Sequence, residues 1–194
     1  LTRVISLCLA CILLLGVLSA CGGDNADEGS AATTLTVGMI AESAGFDPAE
    51  SQGSPIGMSL VYDTVVRMDV NGELQPCLAT AWEWLDDTTI VLTIRDGVQF
   101  SNGDPLTPED VLYTFRHFTE GSATYAADTG YDNIDFDNCS IDGMNLTIKL
   151  YEPDVLFIER MVSFRWSSVV SQKLADMTED EIWGSPIGTG PYTC

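Results

Sequence analysis

The chain has 194 residues, 45% hydrophobic and 19% charged, with 29 acidic residues against 8 Lys and Arg and a formal net charge of −21 at pH 7. A field of that sign repels nucleic acid and anionic lipid headgroups, which argues against DNA or RNA binding and against a basic membrane-surface helix; the acidic residues are dispersed and read as a solvated surface. The apolar content supplies one ordinary domain with a real core and excludes a disordered chain, while the length does not accommodate a large two-lobed protein.

After Arg3, the fifteen residues Val4 to Leu18 are apolar or small apart from Ser6. As a helix they span roughly 22 Å, short of the ~30 Å hydrocarbon core, so residues 1–20 are expected to be an export signal rather than a membrane span. Leu18-Ser19-Ala20-Cys21 follows, and then "GGDNADEGSAATT", whose small polar residues predict a flexible tether over 21–33. Beyond it, Leu35, Val37 and Met39 alternate as a first strand. Ser54 and Pro55 open a helix on which Met58, Val61, Val65 and Met68 could continue one face, and Asn71-Gly72 marks a turn. From Ala79 to Phe100 the pattern predicts an antiparallel meander. Trp82 and Trp84 share one face and are expected in the core, Asp86-Asp87 turn, Ile90, Leu92 and Ile94 share a face, and Asp96-Gly97 turn again.

"LTPEDVLYTFRHFTEG" carries Thr107 as cap, Pro108 at the first helical position, Asp110 three residues after the cap, and Val111, Phe115 and Phe118 along one stripe, with Gly121 as the stop. A looser stretch runs from Ser122 to Asn138. Met144, Leu146, Ile148 and Leu150 then alternate as a strand, Pro153 to Val162 reads as a helix, and Thr178 with Glu181 forms a second capping box. Strands and helices mix without a repeating βαβ unit or an internal repeat, which favours an α+β or an irregular α/β layout.

Four segments together carry a family resemblance. "LTVGMIAESAGFDPAES" resembles a first strand and an "L-D-P" turn, here Phe46-Asp47-Pro48. "GELQPCLATAWEW" resembles "G-x-L-x-P-x-L-A-x-x-W". "TIRDGVQFSNGDPLTPEDVLYTF" is similar to "L-R-x-G-V-x-F-x-D-G-x-P-(L/V)-T-A-x-D-V-x-Y-(S/T)-F", with Asn102 and Pro108 as departures, and "SPIGTGPY" matches "P-x-G-T-G-P-(Y/F)". They stand in the order and spacing of the bacterial extracellular solute-binding proteins, family 5, the peptide- and nickel-binding receptors of ABC importers.

That resemblance implies an α/β, class II periplasmic-binding-protein-like fold of which this chain is a partial N-terminal lobe. Residues 34–61 would start the main lobe, 62–185 form an accessory α+β subdomain, and 186–194 return to the main lobe. It implies a small-solute ligand, first of all an oligopeptide or dipeptide and otherwise a nickel chelate, haem or oligosaccharide, delivered to membrane permease subunits. Carried over by position, Gln52, Gly53 and Ser54 would pair with an extended ligand and Tyr125 would face the cleft; the group that holds a peptide's amino terminus lies outside this sequence. Leu18 to Cys21 resembles a lipobox, which implies a diacylglycerol on Cys21 and an extracytoplasmic protein on the cell membrane, periplasmic in a Gram-negative source. The resemblance implies no cofactor, no metal ligands and no catalysis.

The residues fit two other classes less well. A secreted hydrolase lacks a G-x-S-x-G elbow, "GSPIGTGP" lacks a P-loop Lys, and the only histidine, His117, has no recognisable nucleophile and is read as structural or exposed. A calcium-stabilised module would use "YDNIDFDNCSIDG", although Asp135-x-Asp137-x-Cys139 breaks the EF-hand pattern and a solvated loop fits better. Cys77, Cys139 and Cys194 form an odd set that leaves at least one thiol without an internal partner.

Overall fold

Alternating β-branched and aliphatic residues at 90–94 and 145–149 pair into the sheet around which the molecule is built. In the computed structural model, residues 34–38, 45–50, 55–121, 129–162 and 167–193 are described. The chain divides into two units, Leu1–Ile40 and Ala41–Cys194. Of the first, residues 34–38 are exposed and take no regular element, so the strand expected from Leu35 and Val37 is absent there; Met39 lies outside the described residues. Alternation alone does not make a strand, because the backbone groups need a neighbouring ladder.

The second unit begins with a turn at 48–50 and helix α1, Pro55–Val61. The helix ends before Val65, which is buried ahead of strand β1, Val66–Met68; Met68 is exposed. β1 pairs with β2, Leu74–Pro76, across the turn expected at Asn71-Gly72. Strands β3 (Ala79–Asp86), β4 (Thr89–Ile94), β5 (Ser140–Asp142) and β6 (Asn145–Lys149) make an antiparallel sheet in the order β3-β4-β6-β5. The meander therefore stops after two strands. Past Asp96-Gly97 the chain makes only a bridge, Gln99 with Pro105, and β4 takes β6 as its second neighbour, Ile90 opposite Ile148 and Leu92 opposite Leu146. Within the stretch expected to be a solvated loop, residues 131–133 and 136–138 form single 3₁₀ turns and Ser140–Asp142 becomes edge strand β5.

Period two puts Ile90, Leu92, Ile94, Leu146 and Ile148 on one fully buried face, covered by Val111, Phe115 and Phe118 of helix α2, Pro108–Glu120. Tyr131 packs between Phe115 (ring centroids 4.6 Å apart), Phe118 (6.0 Å) and Phe157 (6.3 Å). Trp82 and Trp84 lie on this face, but β3 is an edge strand. Trp82 is therefore half-buried, and Trp84 is 38% exposed with its ring set edge-on to Phe157. Helix α3 spans only Phe157–Arg160 rather than the whole of 153–162. The Asp154 carboxylate accepts the Leu156 N–H (3.0 Å) and pairs with Arg160, and such a local turn competes with an earlier helical start.

The expected start of α2 is present. The Thr107 N–H and hydroxyl both donate to the Asp110 carboxylate at 2.9 Å. A second apolar cluster of Met58, Val61, Tyr62, Val170, Leu174 and Ile182 packs with Tyr113 of α2 and with Phe46; Ile182 lies on helix α4, Glu179–Gly184, which opens on the expected Thr178–Glu181 box. Cys77 and Cys139 are free thiols; Cys194 is outside the described residues.

At the β3–β4 turn, Asp86 accepts the Thr88 N–H at 2.8 Å and the Thr89 hydroxyl at 2.9 Å, and Lys149 lies 3.7 Å away. These donors favour the ionised form and hold the carboxyl at about 2. A depressed carboxyl adds stability above its ordinary range and loses it as pH falls through the folded value. An NMR pH titration is expected to place the Asp86 midpoint near 2, and Asp86→Asn is expected to flatten the acid limb of the stability profile between about pH 4 and 2; an ordinary carboxylate midpoint would refute the turn geometry.

Candidate functional site

The residues expected to touch solute, Gln52, Gly53, Ser54 and Tyr125, and the lipidation candidate Cys21, all lie outside the described residues. What the structure describes is the frame on either side of 51–54. Upstream is the Asp-Pro turn. The Asp47 carboxylate accepts the Ala49 N–H at 2.9 Å, which closes the turn locally. Its oxygens lie 2.9 and 3.0 Å from His117 Nε2, and since a carboxylate only accepts, Nε2 carries the proton. The imidazole is stacked on Tyr113, 5.7 Å between centroids and 8° from parallel, one helical turn back on α2. Beside it, the Tyr62 hydroxyl donates to the Phe46 carbonyl at 2.7 Å, Phe46 packs against Trp183 of α4 at 5.6 Å, and Ala49 is fully buried.

Downstream of 51–54, helix α1 runs into the "GTGPY" segment. The last carbonyls of a helix have no partner within it. Here the Gly190 N–H reaches the Val61 carbonyl (2.8 Å) and the Tyr192 N–H reaches Leu60 (3.0 Å), while Gly188 accepts from Ser101 (2.8 Å). Both glycines are forced by this approach, because a Cβ on Gly188 would stand 2.1 Å from the Val61 oxygen and one on Gly190 2.5 Å from the Val61 carbonyl carbon. The Thr189 hydroxyl donates to Asp63 at 3.3 Å, and Arg67 pairs with the same carboxylate at 2.5 Å.

A shallow cleft of about 890 Å³ opens next to this segment, lined among others by Asn102, Lys173, Asp176, Met177, Asp180 and Ile187. Two of its charged walls have local duties: Lys173 pairs with Asp104 at 2.5 Å, and Glu181 closes the α4 capping box. Burial pushes the Cys77 and Cys139 thiols up, so neither is a ready thiolate at neutral pH. Among the described residues, no three His, Cys, Asp or Glu side chains stand together as a metal site, and no helix is long and apolar enough to cross a membrane. Asp135, the first acid of the calcium alternative, accepts the Asn138 side chain at 2.7 Å.

Sequence reasoning placed Asp47 and His117 correctly on their elements but did not join them. The usable signal is the i, i+4, i+7 spacing of Asp110, Thr114 and His117, a polar row that runs beside the Val111, Phe115 and Phe118 stripe of α2, about 100° round the helix.

Comparison with known proteins adds the family. Residues 73–194 match the bacterial extracellular solute-binding proteins, family 5 Middle. The chain is 32% identical over 180 residues to Protein XP55 of Streptomyces lividans, covering 90% of this chain and 32% of that protein. It is 26% identical over 209 residues to the oligopeptide-binding protein OppA of Bacillus subtilis, covering 91% and 37%. The solved nickel ABC transporter structure from Bacillus halodurans superposes with a TM-score of 0.66 at 25% identity, over 79% of this chain and 30% of that one. The chain thus spans about a third of the length of the curated relatives it matches.

Gly188→Ala is expected to lower stability by about 1–3 kcal/mol or more, read as a lower urea midpoint. Gly184→Ala, where a Cβ meets nothing within 4 Å, is expected to be neutral or slightly stabilising. Equal effects at the two positions would contradict the close approach. With residues 73–194 matching the family's model, this chain belongs to the bacterial extracellular solute-binding proteins of family 5.

Proposed function

We propose that the chain forms one wall of a solute enclosure in the receptor of an ABC importer, that the solute is an oligopeptide or dipeptide, and that the receptor acts by binding without chemistry. The observation that carries this reading is the double anchoring around 51–54, with a turn tied to α2 on one side and a helix capped by the glycine segment on the other. Fixed flanks lower the ordering cost of pairing a chain's backbone with an extended peptide, and such pairing accepts many side chains. Gln52, Gly53 and Ser54 are the proposed pairing residues and Tyr125 the proposed cleft aromatic. The peptide assignment draws support from the oligopeptide-binding relative. For the division into a main lobe at 34–61 and 186–194 and an accessory subdomain at 62–185, support comes from the hydrogen bonds of 190–192 to 60–61.

A single wall holds a peptide weakly. In ¹⁵N NMR of this chain, tetra-alanine is expected to shift the amides of 50–54 with a dissociation constant of about 1 mM or weaker, while maltotriose and a nickel–histidine complex leave them in place. Shifts with maltotriose or the nickel complex alone would overturn the peptide assignment, and micromolar capture would overturn the one-wall reading.

The proposed anchor is a diacylglycerol on Cys21 at the outer face of the cell membrane, since paired acyl chains give lasting attachment where one does not. Expression in a bacterium with the lipoprotein pathway is expected to give a membrane-bound product carrying the lipid mass, and Cys21→Ser a released one. An unmodified, released wild-type product would count against the anchor.

A further inference from the structure

We infer that Asn71 is a site of spontaneous modification, deamidating through the backbone nitrogen of Gly72, and that Asn102, in a turn of the same build, is held out of that reaction by Asp104. The inference is independent of the solute reading.

Asn-Gly occurs twice in the sequence, at 71–72 and at 102–103. The chemistry is internal to each pair. The Gly nitrogen attacks the Asn Cγ, the new C–N bond closes a five-membered succinimide, and the side-chain amide nitrogen leaves as ammonia with the proton from the Gly N–H. Water then opens the ring at one carbonyl or the other, restoring the N–H and leaving an aspartyl or an isoaspartyl residue. Glycine favours the attack because no Cβ stands in its way.

The two turns match in backbone. In the first, the Asp69 N–H donates to the Glu73 carbonyl at 2.9 Å and the Gly72 N–H to Asp69 at 3.1 Å; in the second, Phe100 donates to Asp104 at 2.9 Å and Gly103 to Phe100 at 2.9 Å. Gly72 and Gly103 have φ of 83° and 87°, and both Asn-Gly pairs are exposed. What separates them is the side chains. Asn102 is held at both ends of its amide by one residue: Oδ1 accepts the Asp104 N–H at 3.1 Å, and Nδ2 donates to the Asp104 carboxylate at 2.6 Å. That carboxylate is itself paired with Lys173 at 2.5 Å. For its Cγ to reach the Gly103 nitrogen, Asn102 must break both bonds, one of them charge-assisted. Asn71 has no such grip. Its amide leans only on Asp69, whose Oδ1 already takes the Asn71 and Glu73 N–H groups at 2.8 and 2.9 Å, and its carbonyl oxygen has no hydrogen-bond partner among the described residues. The product would add a negative charge beside Asp69, and its isoaspartyl form an extra backbone carbon between Met68 and Leu74, which face each other across the hairpin.

The test ages this chain at mildly alkaline pH, in buffer and in concentrated urea, and follows both sites by mass spectrometry of peptide digests. In buffer, position 71 is expected to convert about fivefold faster than 102 or more, and in urea, where the clamp is lost, the two rates are expected to agree within about twofold. In the folded chain, Asp104→Ala is expected to bring 102 to within about threefold of 71, while Asp104→Asn, whose side chain can still accept from Asn102, keeps it slower. Hydrogen exchange at the β4 and β6 amides reports that each variant is folded. Equal conversion in buffer, or faster conversion at 102, overturns the inference. So does a position 71 that converts in urea but not in the folded chain. A difference that survives in urea assigns the preference to local sequence and overturns the clamp, as does a folded Asp104→Ala chain in which 102 stays slow. The comparison of buffer with urea needs no variant and decides the question even if Asp104→Ala does not fold.

Discussion

Helix α2 is buried on two sides, and the rest of the second unit is arranged around that constraint. One stripe, Val111, Phe115 and Phe118, closes the sheet. The other side carries Asp110, Thr114 and His117 at i, i+4 and i+7, each one turn further along. Asp110 takes the Gln172 N–H at 3.0 Å, the Thr114 hydroxyl takes the Val170 N–H at 3.1 Å, and His117 holds Asp47. Apolar burial sets where the helix lies. The polar row then sets which distant chain segments lie on it, because a buried donor or acceptor left without its partner costs about 1–3 kcal/mol.

Two kinds of close approach meet at this helix and at α1. The glycine segment approaches the end of α1 so tightly that side chains are excluded, and its N–H groups complete the helix's last carbonyls. Asp63, just past α1, collects Thr189 and Arg67 on one carboxylate and links that segment to β1. Backbone geometry thus accounts for the two motif glycines, Gly188 and Gly190.

The hydrophobic surface is distributed in keeping with a sheet that has one dry face. Ile90, Leu92, Leu146 and Ile148 are fully buried, whereas Val91, Thr93 and Thr147 on the other face are half-exposed. The departures from simple alternation fall at edges. Trp84 is on the inward face of β3 yet well exposed because no strand lies beyond it, and β5 is a short edge strand formed by a polar stretch whose side chains gave no apolar period to read.

The sequence by itself determined the local elements whose signals are complete within a few residues. These are the capped start of α2, the second box at Thr178 and Glu181, the turn at Asn71-Gly72, and the buried face of β4 and β6. Periodicity states that a face is covered but not by what, so the strand order β3-β4-β6-β5 and the early end of the meander belong to the tertiary structure. The same holds for the pairing of His117 with Asp47 across 70 residues of sequence and for the need for glycine at 188 and 190. A contact between distant residues depends on the summed geometry of every element between them, and no short window of sequence contains that sum.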